Sequence, residues 1–398
     1  VNEQMPLRAV SVDDRPGLLC ALREALAGGT PVLPVAAGQD PAAALAAACG
    51  PDGAVPPGTA LVIRTSGSSG VPKSVALSAA ALLASAEATH ERLGGVGQWL
   101  VSLPTHLISG VQMLVRGIVA GADPVYLDGG FDPAAFFAVA TQLTHERRYV
   151  SLVPVQLSRL LDFAESAPSE AEREALMSTL CRFDAVLVGG QATPLALRSR
   201  AHRYGIALRR SYGMTETAGG CVYDGVEIGD TLVRVRGGEV QLAGPTLALA
   251  YLGDQARTAE AFVYDGGVRW YRTGDAGELL GGMLTVTGRL DRVIISGGMN
   301  VSLDEVERVA GEQPGWAGAV AVGVADPEWG ERPVLVRAEG ASVEGFEEPA
   351  PFPEVREAVR RALGVAAAPE REVVLDDLPQ LAGGKPDRAA IREHVARG

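Results

Sequence analysis

The chain has 398 residues, 47% of them apolar, and a formal net charge of −13. That length exceeds one ordinary core and predicts two or three packed units. The acidic balance, with no basic stripe or arginine-rich helix, excludes a nucleic-acid partner. No apolar run approaches the ~20 residues of a membrane helix, so no membrane insertion is expected. The N-terminal stretch shows no basic segment followed by an apolar core, so no secretory leader is expected. Cys20, Cys49, Cys181 and Cys221 form no C-x-x-C pair. They read as reduced, mostly buried thiols of a cytoplasmic protein.

Residues 1–60 read as a small helix-and-strand lead-in broken by Gly28-Gly29, Pro51 and Pro56-Pro57. The segment that follows, R-T-S-G-S-S-G-V-P-K-S-V-A-L-S (64–78), is the most informative in the chain. An apolar run (Ala60–Ile63) enters it and another (Val75–Leu77) leaves it. The pattern predicts a flexible, donor-rich loop between strands that can hold a polyphosphate. Gly67 and Gly70 permit backbone geometry closed to other residues. Exposed N–H groups can then face anionic oxygens, with Lys73 as a mobile point charge. A Walker loop is disfavoured, because Pro72 rather than glycine precedes Lys73 and a strand rather than a helix follows.

From about 61 to 220, short β-rich runs (Trp99–Leu103, Asp123–Leu127, Tyr149–Val153, Ala185–Val188) alternate with helical patterns after 78, 110, 132, 155 and 193. This alternation predicts an α/β domain with a largely parallel sheet. His106, in H-L-I-S-G, stands at the end of an apolar run, where a histidine is more often structural than catalytic. S-Y-G-M-T-E-T-A-G (211–219) offers a flat ring at Tyr212, a hydroxyl at Thr215 and a hard oxygen at Glu216 suited to Mg²⁺.

From 221 to 288 the helical periodicity fades and strands separated by Gly and Asp predict a β-rich subdomain. Within it, R-T-G-D (272–275) reads as an acid fixed by a turn, able to accept two ribose hydroxyls. The charged junction at Leu290–Arg292 predicts a boundary, giving an N-terminal domain over 1–290 and a C-terminal α/β domain over 291–398. S-G-G-M-N (296–300) permits the close approach of a thin ligand, and L-A-G-G-K-P-D-R (381–388) places Lys385 on a mobile glycine-rich loop.

The order of these motifs resembles the adenylate-forming enzyme superfamily, which includes acyl-CoA synthetases, over roughly 60–390. The resemblance implies a large N-terminal domain, a small mobile C-terminal domain, and ATP, Mg²⁺ and coenzyme A as reactants. By motif match, Thr65, Ser66, Gly67, Ser68, Ser69, Gly70 and Lys73 would hold the β- and γ-phosphates. Gly189, Gly190, Gln191, Ser211 and Tyr212 would form the adenine pocket, with Gly213 and Met214 also binding ATP. Thr215 would meet the α-phosphate, Glu216 the metal, and Asp275, with Arg289 beside it, the ribose. Lys385 would neutralise charge as a carboxylate attacks phosphorus, Asp291 would be the hinge, and Gly297 and Gly298 would line the thiol path.

The short lead-in before Thr65 is similar to the compact o-succinylbenzoate–CoA ligases of menaquinone biosynthesis. In that subfamily's terms His106, Ser109, Arg116, Ser151 and Gly220 would line the acid pocket, His106 also serving catalysis. Arg116 would meet the substrate's second carboxylate, though on residue type alone it reads as a helix-surface arginine. Gly220 stands where some relatives carry a hydroxyl residue. Other expectations of the same pattern are a different aryl- or acyl-CoA ligase, an adenylation enzyme loading a carrier protein, and a homodimer.

Overall fold

The computed structural model describes residues 6–49, 55–65, 73–339, 349–381 and 385–397. Contacts divide the chain into two compact units: Val1–Arg234 with Gln241–Arg272, and Val235–Val240 with Thr273–Gly398. The chain passes the division within three strands rather than through a linker.

The first unit begins with β1 (Arg8–Ser11), α1 (Arg15–Leu26), β2 (Val32–Val35) and α2 (Pro41–Cys49). Asp14 caps α1 by accepting from the Gly17 N–H, and Pro16 fits the first turn because that position has no helical donor role. β1 and β2 run parallel, and β2 runs parallel to β3 (Thr59–Thr65). β3 pairs antiparallel with β4 (Lys73–Ser78), which sets Thr65 opposite Lys73. The apolar runs flanking the glycine-serine segment are thus strands, with Leu61, Ile63, Val75 and Leu77 fully buried. Ser66, Gly67, Ser68, Ser69 and Gly70 lie outside the described residues.

Alternating elements follow: α3 (Ala79–Arg92), β5 (Gln98–Val101), α4 (Ile108–Ala120), β6 (Val125–Tyr126), α5 (Pro133–Ala140) and β7 (Arg148–Leu152). Then come α6 (Pro154–Glu165), α7 (Glu170–Cys181), β8 (Ala185–Gly189), α8 (Leu195–Arg203) and β9 (Leu208–Met214). Strands β6, β5, β7, β8 and β9 are parallel neighbours in that order. Antiparallel β10 (Gly219–Tyr223) and β11 (Val226–Glu227) extend the sheet. Helices on its faces explain why β7 and β8 are buried along almost their whole length. The alternation expected from sequence is present, and α7 is an addition to it. That helix buries only Met177 and Leu180, too sparse a stripe to register as helical periodicity.

β12 (Leu232–Arg236), β13 (Glu239–Ala243), β14 (Ala250–Tyr251), α9 (Gln255–Ala261) and β15 (Phe262–Asp265) lead into the long β16 (Val268–Leu280). β14 pairs antiparallel with β4, placing Tyr251 beside Val75. The stretch expected to be free of helix therefore contains α9, which buries none of its residues and is started by the Asp254 cap. Arg272–Asp275 is not a turn, as expected, but the middle of β16. Gly274 at φ +69° bends the strand there, a conformation glycine tolerates.

In the second unit β16 pairs with β17 (Met283–Arg289). The hairpin of β18 (Val293–Ser296) and β19 (Met299–Ser302) follows, then α10 (Leu303–Gly311), β20 (Val320–Asp326) and β21 (Gly330–Ala338). α11 (Phe352–Leu363), β22 (Glu372–Leu375) and α12 (Arg388–Arg397) complete it. The sheet order is β19-β18-β21-β20, with β22 parallel to β21. Val306, Trp316, Leu335, Val355 and Val359 pack on one face, and Val322, Val334, Val336, Ile391 and Val395 on the other. The sheet is thus covered on both faces, by α10 and α11 on one and α12 on the other. All four cysteines are free thiols, but Cys20 and Cys181 are exposed and only Cys221 is buried, which corrects the expectation of mostly buried thiols. Both exposed thiols lie on outward faces of helices, where a small side chain loses little by meeting water.

Candidate active site

Three groups of the expected residues can be followed. The first lies in the first unit, where the mouth of the β3–β4 hairpin meets the turn after β9. Ladder pairing puts Lys73 at the start of β4, across from Thr65, whose hydroxyl is buried with no partner among the described residues. Thr215–Thr217 form one 3₁₀ turn, locked by the Thr217 hydroxyl donating to the Gly219 carbonyl at 2.8 Å. The Ala248 N–H donates to the Glu216 carbonyl at 2.8 Å, and Ala218 takes the left-handed conformation at φ +52°. These constraints point the Glu216 side chain at Lys73. The ammonium donates to Glu216 Oε1 at 2.5 Å, and the Tyr251 hydroxyl donates to the same oxygen at 2.8 Å. The Lys73 ammonium also sits 4.9 Å from the Tyr251 ring centre. Burial, and then the Glu216 charge, push the Tyr251 phenol well above its ordinary range, so it stays protonated and donates. Tyr251 was not legible as a site residue, because A-L-A-Y-L-G carries no polar signal; only β14 pairing with β4 brings it in.

The residues expected to form the adenine pocket also converge. Gly189 ends β8 directly beside Ser211 of β9, and a Cβ on Gly189 would stand 2.9 Å from the Ser211 carbonyl oxygen. Gly190 has φ +82° and Gln191 is exposed. Tyr212 pairs with Val222, Gly213 with Gly220 and Met214 with Gly219 across the β9–β10 ladder. These positions lie at the carboxyl ends of parallel strands, where open α/β sheets bind ligands.

One protein carboxylate, Glu216, stands in this group. Among the described residues no cluster of three or more acidic, His or Cys side chains could cage an ion. That set fits Mg²⁺, which keeps several waters and takes most other ligands from substrate phosphates.

The second group surrounds Arg116. Gly110 lets α4 pass against the turn before it, since a Cβ there would lie 2.2 Å from the Pro104 carbonyl oxygen. His106 is half-buried in that turn and Ser109 is exposed on the first helical turn. Burial lowers the His106 pKa. Ser151 is buried in β7 and its carbonyl accepts from the Ser102 hydroxyl at 2.6 Å. Arg116 is not on the helix surface, as its residue type alone suggested. It is 3% exposed, with its guanidinium 4.7 Å from the Trp99 ring centre. Among the described residues it makes one hydrogen bond, Nη2 to the Tyr223 hydroxyl at 3.4 Å, and it has no ion-pair partner. Its Nε is buried with no acceptor among the described residues. Burial therefore lowers its pKa. No hydrogen bond among the described residues links His106, Ser109 or Ser151 to it. Gly220 borders the group: a Cβ there would meet the Ser211 hydroxyl at 2.2 Å and the Tyr223 ring at 2.8 Å.

The third group lies in the second unit. Asp275 and Arg289 are ladder partners on β16 and β17, joined at 3.0 Å. Arg289 also forks onto Asp291, with both contacts at 3.1 Å. One guanidinium thus ties the expected ribose ligand to the expected hinge. The Thr273 hydroxyl receives the Asp275 N–H at 2.9 Å and donates to the Val240 carbonyl at 2.7 Å, fixing the bent strand. Gly297 and Gly298 form the β18–β19 turn at φ +56° and +79°. Lys385 is exposed, and its carbonyl accepts from the Leu381 N–H at 2.8 Å.

Sequence comparison agrees with this layout. The AMP-binding enzyme family matches residues 23–279, and the AMP-binding enzyme C-terminal domain matches residues 305–385. The chain belongs to this family of adenylate-forming enzymes and has its fold. A probable 2-succinylbenzoate–CoA ligase of Mycobacterium tuberculosis is 39% identical over 386 residues, covering 95% of each chain. Among solved structures, the o-succinylbenzoate CoA synthetase of Bacillus subtilis with the acyl-adenylate intermediate OSB-AMP superposes with a TM-score of 0.70 at 27% identity. That match covers 84% of this chain and 69% of the other. The same enzyme with ATP and magnesium ion gives a TM-score of 0.69 at 26% identity, covering 83% and 69%. Among the described residues no helix is long and apolar enough to cross a membrane.

Proposed function

We propose that this chain activates o-succinylbenzoate with ATP and transfers the acyl group to coenzyme A, giving o-succinylbenzoyl-CoA, AMP and pyrophosphate. The observation that carries the substrate assignment is Arg116. A fully buried guanidinium with no anionic partner is costly, and the cost falls when a ligand brings a carboxylate. o-Succinylbenzoate has two carboxylates; one reacts and the other is left to meet this cation.

In the first half-reaction the aliphatic carboxylate oxygen attacks the α-phosphorus of ATP. The bond from that phosphorus to the bridging oxygen breaks, and pyrophosphate leaves with the electron pair. Lys73 and Thr65, with Ser66–Gly70, would hold the β- and γ-phosphates. Lys73 would exchange its contact with Glu216 for phosphate, leaving Glu216 as the residue that would hold magnesium. Magnesium, when bound, neutralises charge on the phosphate oxygens. Thr215 would contact the α-phosphate and Lys385 would stabilise the negative charge gathered there in the transition state. Gly189–Gln191 and Ser211–Met214 would seat adenine, and Asp275, oriented by Arg289, the ribose. In the second half-reaction the coenzyme A thiolate attacks the acyl carbon and AMP departs, with Gly297 and Gly298 beside the thiol. Asp291 is the hinge in this reading, between domains 1–290 and 291–398. The reaction belongs to menaquinone biosynthesis in the cytoplasm.

The test is AMP release with ATP, Mg²⁺ and coenzyme A across a panel of acids. Turnover with o-succinylbenzoate far above benzoate, indoleacetate and fatty acids supports the reading. A preference for any of those acids overturns it.

A further inference from the structure

The polar chain behind Arg116 has a fixed direction. The Thr89 hydroxyl, on α3, has one proton, and it goes to the Ser85 carbonyl at 2.8 Å, because a carbonyl only accepts. The Thr89 oxygen lies 2.9 Å from the Tyr223 hydroxyl, so Tyr223 must donate in that bond. The phenol oxygen is thereby left as an acceptor aimed at Arg116, whose Nη2 reaches it at 3.4 Å. All of these groups are buried: Thr89 and Tyr223 are 0% exposed and Arg116 is 3%. The guanidinium carbon lies 4.7 Å from the Trp99 ring centre, and the Tyr223 oxygen accepts from one of its terminal nitrogens. Among the described residues Nε has no acceptor.

Gly220 completes the arrangement. The Tyr223 hydroxyl lies 3.4 Å from the point a Cβ on Gly220 would occupy, and the ring edge is nearer still at 2.8 Å. The glycine thus leaves room for the Tyr223 ring edge and for the Ser211 hydroxyl, which lies 2.2 Å from that point. We propose that Tyr223, oriented by Thr89, is a positioning residue for substrate selection: it aims the Arg116 guanidinium so that its unused N–H groups present to the second carboxylate of the acid. This rests on the o-succinylbenzoate reading above.

The experiment compares o-succinylbenzoate with 4-oxo-4-phenylbutanoate, the same acid without its ring carboxylate, in AMP release at saturating ATP, Mg²⁺ and coenzyme A. Tyr223→Phe keeps the ring and removes only the oxygen. Its KM for o-succinylbenzoate should rise about tenfold, as expected for a lost hydrogen bond to a charged group, while the KM for 4-oxo-4-phenylbutanoate and for ATP stay near the wild-type values. Thr89→Val should move the same KM in the same direction by roughly threefold, and Thr89→Ser, which keeps the hydroxyl, should restore it. An unchanged KM for o-succinylbenzoate in both Tyr223→Phe and Thr89→Val overturns the proposal. So does an equal rise for both acids, which marks a merely structural role. A wild-type enzyme that does not prefer o-succinylbenzoate over its ring-carboxylate-free analogue overturns the functional reading itself, and this inference with it.

Discussion

Two cations of the first unit, Lys73 and Arg116, have opposite surroundings. The Lys73 side chain is 24% exposed, and its ammonium already holds an anion, Glu216, at 2.5 Å. Arg116 is buried against an aromatic face, and among the described residues no anion pairs with it. A paired, part-exposed lysine can exchange partners at small cost, which suits a residue that must take and release phosphate each turnover. An unpaired buried arginine stays poised for one anion of one shape, which suits selection of an acid. In the proposed reaction the same charge would serve turnover in one place and recognition in the other.

Substitutions separate these roles most sharply at the paired site. Glu216→Gln should lower kcat about 100-fold by removing the metal contact, with the loss partly recovered at high Mg²⁺. A kcat within twofold of wild type at ordinary Mg²⁺ would break the assignment. Lys73→Met leaves Glu216 buried with only the Tyr251 hydroxyl, so stability should fall by about 2 kcal/mol. The KM for ATP should rise in the same variant, and urea unfolding with initial rates checks both. Arg116→Met should do the reverse: unfolding stability unchanged or higher by about 1 kcal/mol, because an unpaired charge leaves the core. Its KM for o-succinylbenzoate should nonetheless rise well above its KM shift for ATP. A large loss of stability in Arg116→Met would erase the contrast between the sites.

The smallest expected effect concerns His90, beside the arginine. Burial first, and then the Arg116 charge, hold its pKa down to about 4. An unfolded histidine titrates near 6.5, so between those values the unfolded chain binds more protons than the folded one. Stability should therefore fall as pH drops from about 6.5 to about 4, and be flat above. His90→Asn should flatten that segment, and Arg116→Met should raise the histidine's pKa in an NMR titration. A His90 resonance titrating at its ordinary value would show that neither burial nor the arginine acts on it.

Motif residues were readable wherever the chemistry needs a particular local run of residue types. Thr65, Lys73, Ser211–Glu216, Asp275, Arg289 and Asp291 each sit in short strings of glycine, hydroxyl and charge, and the strands around the first of these follow from the apolar runs on either side. The α/β alternation was equally plain, because buried strands and amphipathic helices carry different periods. R-T-G-D misled as a turn, because glycine marks a bend equally well inside a strand, and α7 and α9 were missed for want of an apolar stripe.

Sequence by itself determined the family, the order of its motifs along the chain and the residue types expected to meet nucleotide. Tertiary structure alone decided that Tyr251 joins Lys73 and Glu216, that Arg116 is buried with no ion-pair partner among the described residues, and that Trp99 and Tyr223 meet it, with Thr89 bonded to Tyr223. These are long-range contacts between elements far apart in the chain, set by sheet order and helix packing, and a run of neighbouring residues carries no trace of them.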